Sequence, residues 1–112
     1  MLIYKILTAD QWSDLQAAGE TAGAPIDVTD GFVHFSTAEQ AAETAAKHFA
    51  GQRDLWLLAL EADTLGDALK WEPSRGGALF PHLYGPLRLQ DVIWSKPLPL
   101  APGGHQFPDD LT

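Results

Sequence analysis

Cysteine is absent from this 112-residue chain. That excludes disulfide scaffolds, cysteine nucleophiles, iron–sulfur clusters and cysteine-based zinc sites together. Positive charge is scarce: 7 Lys+Arg stand against 15 Asp+Glu, a formal net charge of −8. Such a field repels DNA, RNA and anionic membrane, although a local basic pocket could still hold a small anion. No stretch approaches the ~20 apolar residues of a membrane span. Met1 to Leu7 has neither a positive leader nor a long apolar core of the secretory kind. The expectation is a soluble cytoplasmic protein whose partner is a small-molecule ligand. Gly-x-Ser-x-Gly, Gly-x-Gly-x-x-Gly and a Walker loop are all missing. His34, His48, His82 and His105 show no His-x-x-x-His spacing, so no metal site is expected.

What is present is ordinary globular material. Hydrophobic residues make up 46% and charged residues 20% of the chain, which argues against disorder. A chain of this length buries roughly 65% of its unfolded surface, enough for one core. Leu2 to Leu7 reads as a strand. Thr8, with Gln11 three residues on, is a capping box opening a helix through Trp12, Leu15 and Gln16 that stops near Gly19. Glu20 to Asp30 has loop composition. Gly31 to Phe35 is a short β-prone run, expected to be buried on at least one face. Ser36 with Glu39 forms a second capping-box pattern. The apolar positions Ala38, Ala41, Ala42, Ala45, Ala46 and Phe49 then make an amphipathic helix, ended by Gly51. Glu43 and Lys47 are an i,i+4 pair on its wet side.

Leu55 to Leu60 is a continuous apolar run that fits a central strand covered on both faces. Asp63 to Ala68 reads as a turn or one helical turn, Leu69 to Glu72 as a short strand, and Asp91 to Lys96 as the last strand. Pro73 to Leu87 reads as a long irregular loop. The Pro/Gly-rich stretch from Pro97 is expected to be poorly ordered. The fold class is α+β: one domain over residues 1–98, with a small split antiparallel or mixed sheet and two helices, and a tail over 99–112.

Two regions could carry chemistry. The Pro73–Leu87 segment holds Arg75, His82 and Tyr84 among residues chosen for backbone shape, and loops of this length are often functional. Its paired glycines permit positive φ and a nest of amides for an anion; the alternative is a rigid connector packed over its own aromatics. His34 lies in the β-prone run, just before a helix N-terminus that offers free amides to an anion. Ser36 and Thr37 add hydroxyls, one of which caps the helix. Alternation puts His34 and Phe32 on one face, with Val33 and Phe35 opposite. Alternatively, His34 is a core histidine satisfied by the backbone. Glu72 reads either as a catalytic carboxylate or as an exposed or salt-bridged residue.

Three segments carry a family resemblance: Ile3-Tyr-Lys-Ile-Leu, Asp30-Gly-Phe-Val-His-Phe-Ser-Thr37 and Trp71-Glu-Pro-Ser-Arg-Gly-Gly-Ala-Leu-Phe-Pro-His-Leu-Tyr-Gly-Pro-Leu87. Over residues 2–98 the chain resembles the bacterial domain-of-unknown-function family numbered 952. That family is grouped with the ADP-ribosyltransferase-like fold, whose best-known members bind NAD. The resemblance implies that His34-Phe35-Ser36 matches the strand-borne histidine element that holds the NAD ribose and nicotinamide. It implies that Tyr84 stacks on the nicotinamide. The usual third element, a Glu on a later strand, has no match: after Tyr84 the acids are Asp91, Asp109 and Asp110, and Glu72 precedes it. The implied function is therefore an NAD- or nucleotide-handling enzyme with an altered catalytic set. His34, Ser36, Thr37, Arg75 and Tyr84 would bind the ligand, and Glu72 and His82 would be catalytic. A binding module that keeps the pocket without turnover is the alternative.

Overall fold

The structure is a computed structural model that describes residues 1–74, 76–109 and 111. Strand β1 (Leu2–Thr8) runs into helix α1 (Ala9–Ala18) through the expected capping box. Thr8 Oγ1 accepts the Gln11 N–H at 3.2 Å, and Gln11 Oε1 accepts the Thr8 N–H at 3.0 Å. Gly19 ends the helix in the left-handed region, φ 84°. The chain continues through β2 (Glu20–Thr21), α2 (Pro25–Asp30), β3 (Val33–His34), α3 (Ala38–His48) and β4 (Leu55–Glu61). A 3₁₀ segment, Ala62–Ala68, leads to β5 (Leu69–Ser74), β6 (Ala78–Leu83), β7 (Leu87–Arg88), β8 (Val92–Leu98), β9 (Leu100–Ala101) and β10 (Gly104–His105).

Two three-stranded sheets organise this small α+β fold, in the orders β1-β4-β8 and β3-β6-β5, and β2-β7 and β9-β10 add two-stranded ribbons. Every pairing among the described residues is antiparallel. The first sheet explains the continuous apolar run of β4. Leu58 and Leu60 face a cluster with Ile3, Leu7, Leu15, Val33 and Phe35. Leu55, Leu57 and Ala59 face a second cluster with Tyr4, Ile6, Ala45 and Leu98. A strand buried on both faces has no polar alternation to display.

Several expectations are corrected. The helix cap is Thr37, not Ser36: Gln40 Oε1, rather than Glu39, accepts the Thr37 N–H at 3.0 Å. Of the alanine stripe, Ala41 and Ala45 are buried whereas Ala42 and Ala46 are exposed, so α3 rests on a narrower seam. The Glu43–Lys47 pair forms at 3.1 Å. A third helix, α2, occupies the segment read as loop. Pro25 at its first turn and Asp27 two residues later are helix-start signals outweighed in composition by the flanking glycines. The segment read as an irregular loop is mainly strand: β6 pairs with β5 from Leu69↔Leu83 to Ser74↔Ala78, and with β3 on its other side. Its Pro81 does not break the ladder, and the positive-φ glycines Gly76 and Gly77 belong to the β5–β6 turn. Among the described residues after Pro97, Leu100–Ala101 and Gly104–His105 form the β9-β10 ribbon, and Phe107 and Leu111 pack on the second cluster.

Candidate functional site

The antiparallel register of β3 and β6 sets His34 directly opposite His82. Side chains alternate between faces along a strand, so Val33 and Phe35 go to the core while Phe32 and His34 share the other face. The Phe32 ring stacks on His82 at 4.2 Å between centroids, and lies 4.6 Å from His34 and 5.1 Å from Tyr84. The two imidazoles meet edge to face at 5.4 Å.

On the next strand Glu72 reaches the same face. Its Oε1 accepts the Tyr84 hydroxyl at 2.7 Å and lies 2.8 Å from His82 Nδ1. The hydrogen bonds from Tyr84 and His82 hold the Glu72 carboxyl below its ordinary range. The same Glu72 contact pushes the Tyr84 hydroxyl up. A carboxylate only accepts, so His82 Nδ1 is the donor in its contact with Glu72. No described residue meets His82 Nε2, although the residue is only 5% exposed.

His34 is held from below by α2. Its Nδ1 lies 2.6 Å from Asp27 Oδ1, and its Nε2 lies 3.0 Å from Asp30 Oδ2. Asp27 is fully buried and binds further donors: the His34 N–H at 3.1 Å, the Ala24 N–H at 2.7 Å and Lys5 Nζ at 2.8 Å. Burial pushes the Asp27 carboxyl up, but the hydrogen bond from His34 and the Lys5 charge outweigh it and bring it down to about 2. Burial lowers the Lys5 ammonium, and Asp27 opposes that shift. The packing leaves no slack: a Cβ on Gly23, at φ +104°, would collide with the Asp27 carboxylate.

A cavity of about 590 Å³ opens where β1, α2, α3 and the β3-β6 pair converge. His34, Ser36 and His82 line it, together with Lys5, Asp27 and the rings of Phe35 and Phe80. Ser36 is placed there by a bridge to Tyr4, with N–H···O distances of 2.7 and 2.9 Å. Its hydroxyl lies 2.8 Å from Thr44 Oγ1, which donates to the Gln40 carbonyl at 3.1 Å. The structure thus brings His34, Ser36 and His82 to one cavity. Tyr84 and Glu72 join them through the Phe32 contact and the shared hydrogen bonds, outside the lining itself. Thr37 is occupied at the start of α3 and does not line the cavity. Arg75 lies outside the described residues. Among the described residues no group of three acidic or histidine side chains is arranged to hold a metal ion, and no helix is long and apolar enough to cross a membrane.

A family model described as a protein of unknown function, DUF952, matches residues 6–95. The chain belongs to the DUF952 family. Its fold matches the crystal structure of protein CC0527 from Caulobacter crescentus, 52% identical, covering 95% of this chain and 94% of that one at a TM-score of 0.91. The solution NMR structure of the same protein is 53% identical, over 93% and 90% of the two chains, at a TM-score of 0.83. No curated protein matches. In this DUF952 chain, sequence reasoning missed Lys5, Asp27 and Asp30. A signal existed for two of them. Lys5 is a charge at an inward position between Ile3 and Leu7, and Asp27 follows a proline at a helix start.

Proposed function

We propose that this DUF952 domain handles a nicotinamide nucleotide or related nucleoside, in an ADP-ribosyltransferase-like pocket with an altered catalytic set. One observation carries the reading: the β3-β6 register puts His34 opposite His82 beside a nucleoside-sized cavity, with Phe32, Tyr84 and Glu72 on the same sheet face. Volumes of this size suit small-molecule ligands. Glu72, out of order in sequence for the missing third element, is in contact with both Tyr84 and His82.

In the reaction, the N-glycosidic bond breaks and its electron pair leaves with the nicotinamide nitrogen. Water attacks the anomeric carbon, and its proton passes on to bulk water. His82, held by Glu72 at Nδ1, orients the sugar through Nε2, and the Glu72 carboxylate stabilises the positive charge that develops. Ser36 and His34 hold the ligand in the ground state. Arg75 would meet phosphate if the ligand carries one.

Isothermal titration with NAD and with nicotinamide riboside, followed by an assay for nicotinamide release, tests the reading. Binding by at least one and slow release are expected. Glu72→Gln should spare binding while lowering kcat, and His34→Ala should weaken binding. No binding of either at millimolar concentration overturns the proposal. A non-catalytic receptor is the second reading, favoured by His34, whose ring nitrogens both face carboxylates; binding without release would select it.

A further inference from the structure

The hydrogen-bonding inventory of the cavity restricts what it can hold. His82 Nδ1 donates to Glu72, so in the neutral ring Nε2 is an acceptor. The residue is 5% exposed, lines the cavity, and has no described partner at Nε2. His82 lines the cavity and Glu72 does not, so His82 reaches the cavity away from its Glu72 contact. A buried polar atom left without a partner is costly, and a ligand donor would relieve that cost. Ser36 presents a second acceptor. The Thr44 hydroxyl proton goes to the Gln40 carbonyl, so Ser36 donates to Thr44 and its lone pairs remain for the cavity.

Charge points the same way. Lys5 is the cationic side chain among the described lining residues other than histidines, and it is paired with Asp27 at 2.8 Å. Asp30, also on the lining, faces His34 Nε2 at 3.0 Å. A phosphate group brings only acceptors to these carboxylates and to His82 Nε2, and desolvating its charge there is costly. A ribose brings hydroxyl donors, and a flat heterocycle suits the walls of Phe35, Phe49 and Phe80.

Resting on the reading above, we propose that the ligand of this cavity is a phosphate-free nucleoside, uncharged or cationic, whose ribose hydroxyls donate to His82 Nε2 and Ser36 Oγ. Nucleotides and dinucleotides are the weaker ligands.

The test is calorimetric titration of the full chain with nicotinamide riboside, its 5′-phosphate (nicotinamide mononucleotide) and NAD. The riboside should bind at least about tenfold more tightly than either phosphorylated compound. Equal or tighter binding of the mononucleotide or NAD overturns this inference and leaves the functional reading standing. Binding by none of the three overturns the functional reading itself. His82→Phe removes the buried acceptor and should lower riboside affinity more than about tenfold. Should that variant fail to fold, Ser36→Ala carries the test. It is expected to weaken the riboside about fivefold at an unchanged thermal midpoint, and unchanged affinity overturns the assignment of Ser36 as an acceptor.

Discussion

The two three-stranded sheets of this protein are built to opposite specifications. In β1-β4-β8, both faces of the central strand are apolar and buried. In β3-β6-β5, one face of β3 and β6 joins the core through Val33, Phe35 and Leu83, while the other displays His34, His82, Glu72 and Phe32. The first sheet is held by burial, which is non-directional and tolerant of shape. The polar face of the second is held by directional contacts, and it is anchored at Asp27, where Lys5 of the first sheet meets His34 of the second. The two sheets are therefore joined by charge at Asp27, and the cavity opens beside that joint. Histidines held by carboxylates keep a fixed ring orientation, which a binding or catalytic surface requires.

The comparison breaks most severely at Asp27. Asp27→Ala leaves the buried Lys5 ammonium unpaired and strips acceptors from His34 and Ala24. A loss of about 3–5 kcal/mol is expected, measured as the fall in urea-unfolding free energy. A loss below about 1 kcal/mol would show that the joint is not a structural anchor. Leu58→Ala tests the other construction. Leu58 is fully buried in the central strand, and the truncation should cost about 2–5 kcal/mol while leaving the affinity of the site per folded molecule unchanged.

Acid unfolding isolates the contribution of the Asp27 joint. The Asp27 carboxyl lies at about 2 in the fold against an ordinary 3.8. Its contribution is complete above the ordinary value and is lost as pH falls through the folded one. The wild type should thus lose roughly 2 kcal/mol of its advantage over Asp27→Ala between about pH 5 and 2. Parallel stability curves for the two proteins would contradict the assignment. The smallest effect belongs to Glu43→Gln on the exposed side of α3, where the pair with Lys47 lies in solvent at 3.1 Å. It should cost about 0.3–0.5 kcal/mol and vanish in high salt, in contrast to the buried Lys5–Asp27 pair.

Legibility followed the range of the interaction. The capping box at Thr8, the left-handed stop at Gly19, the doubly buried β4 and the Glu43–Lys47 pair all depend on residues within a turn or a strand of each other, and the pattern along the chain displays them. The alternation of Phe32 and His34 against Val33 and Phe35 is equally local: Phe32 lies beside His34 and His82, and Val33 and Phe35 join the core. Where two local signals competed, reading along the chain failed. Ser36-Glu39 and Thr37-Gln40 are equivalent capping patterns, and the Tyr4–Ser36 bridge holds Ser36 in extended pairing so that Thr37 becomes the cap. In the same way Gly76, Gly77 and Pro81 suggest a loop, yet β6 becomes a strand because it is sandwiched between β3 and β5, and their ladders supply its hydrogen bonds.

Residue identities were enough to nominate His34, Ser36, Glu72, His82 and Tyr84 as chemical groups. They were not enough to say which groups touch, because that depends on strand register, across a hairpin for β5-β6 and between distant segments for β3-β6. Only the β3-β6 register brings His34 to His82, and only the β5-β6 register carries Glu72 to His82 and Tyr84. Likewise Lys5 and Asp27 are ordinary charges in the chain. They become one buried pair because packing β1 against α2 leaves each without water and with the other as its nearest opposite charge. Local free energies set the elements and their faces. The contacts that define the site come from closing the chain on itself, where burial makes a polar partner worth far more than it is in water.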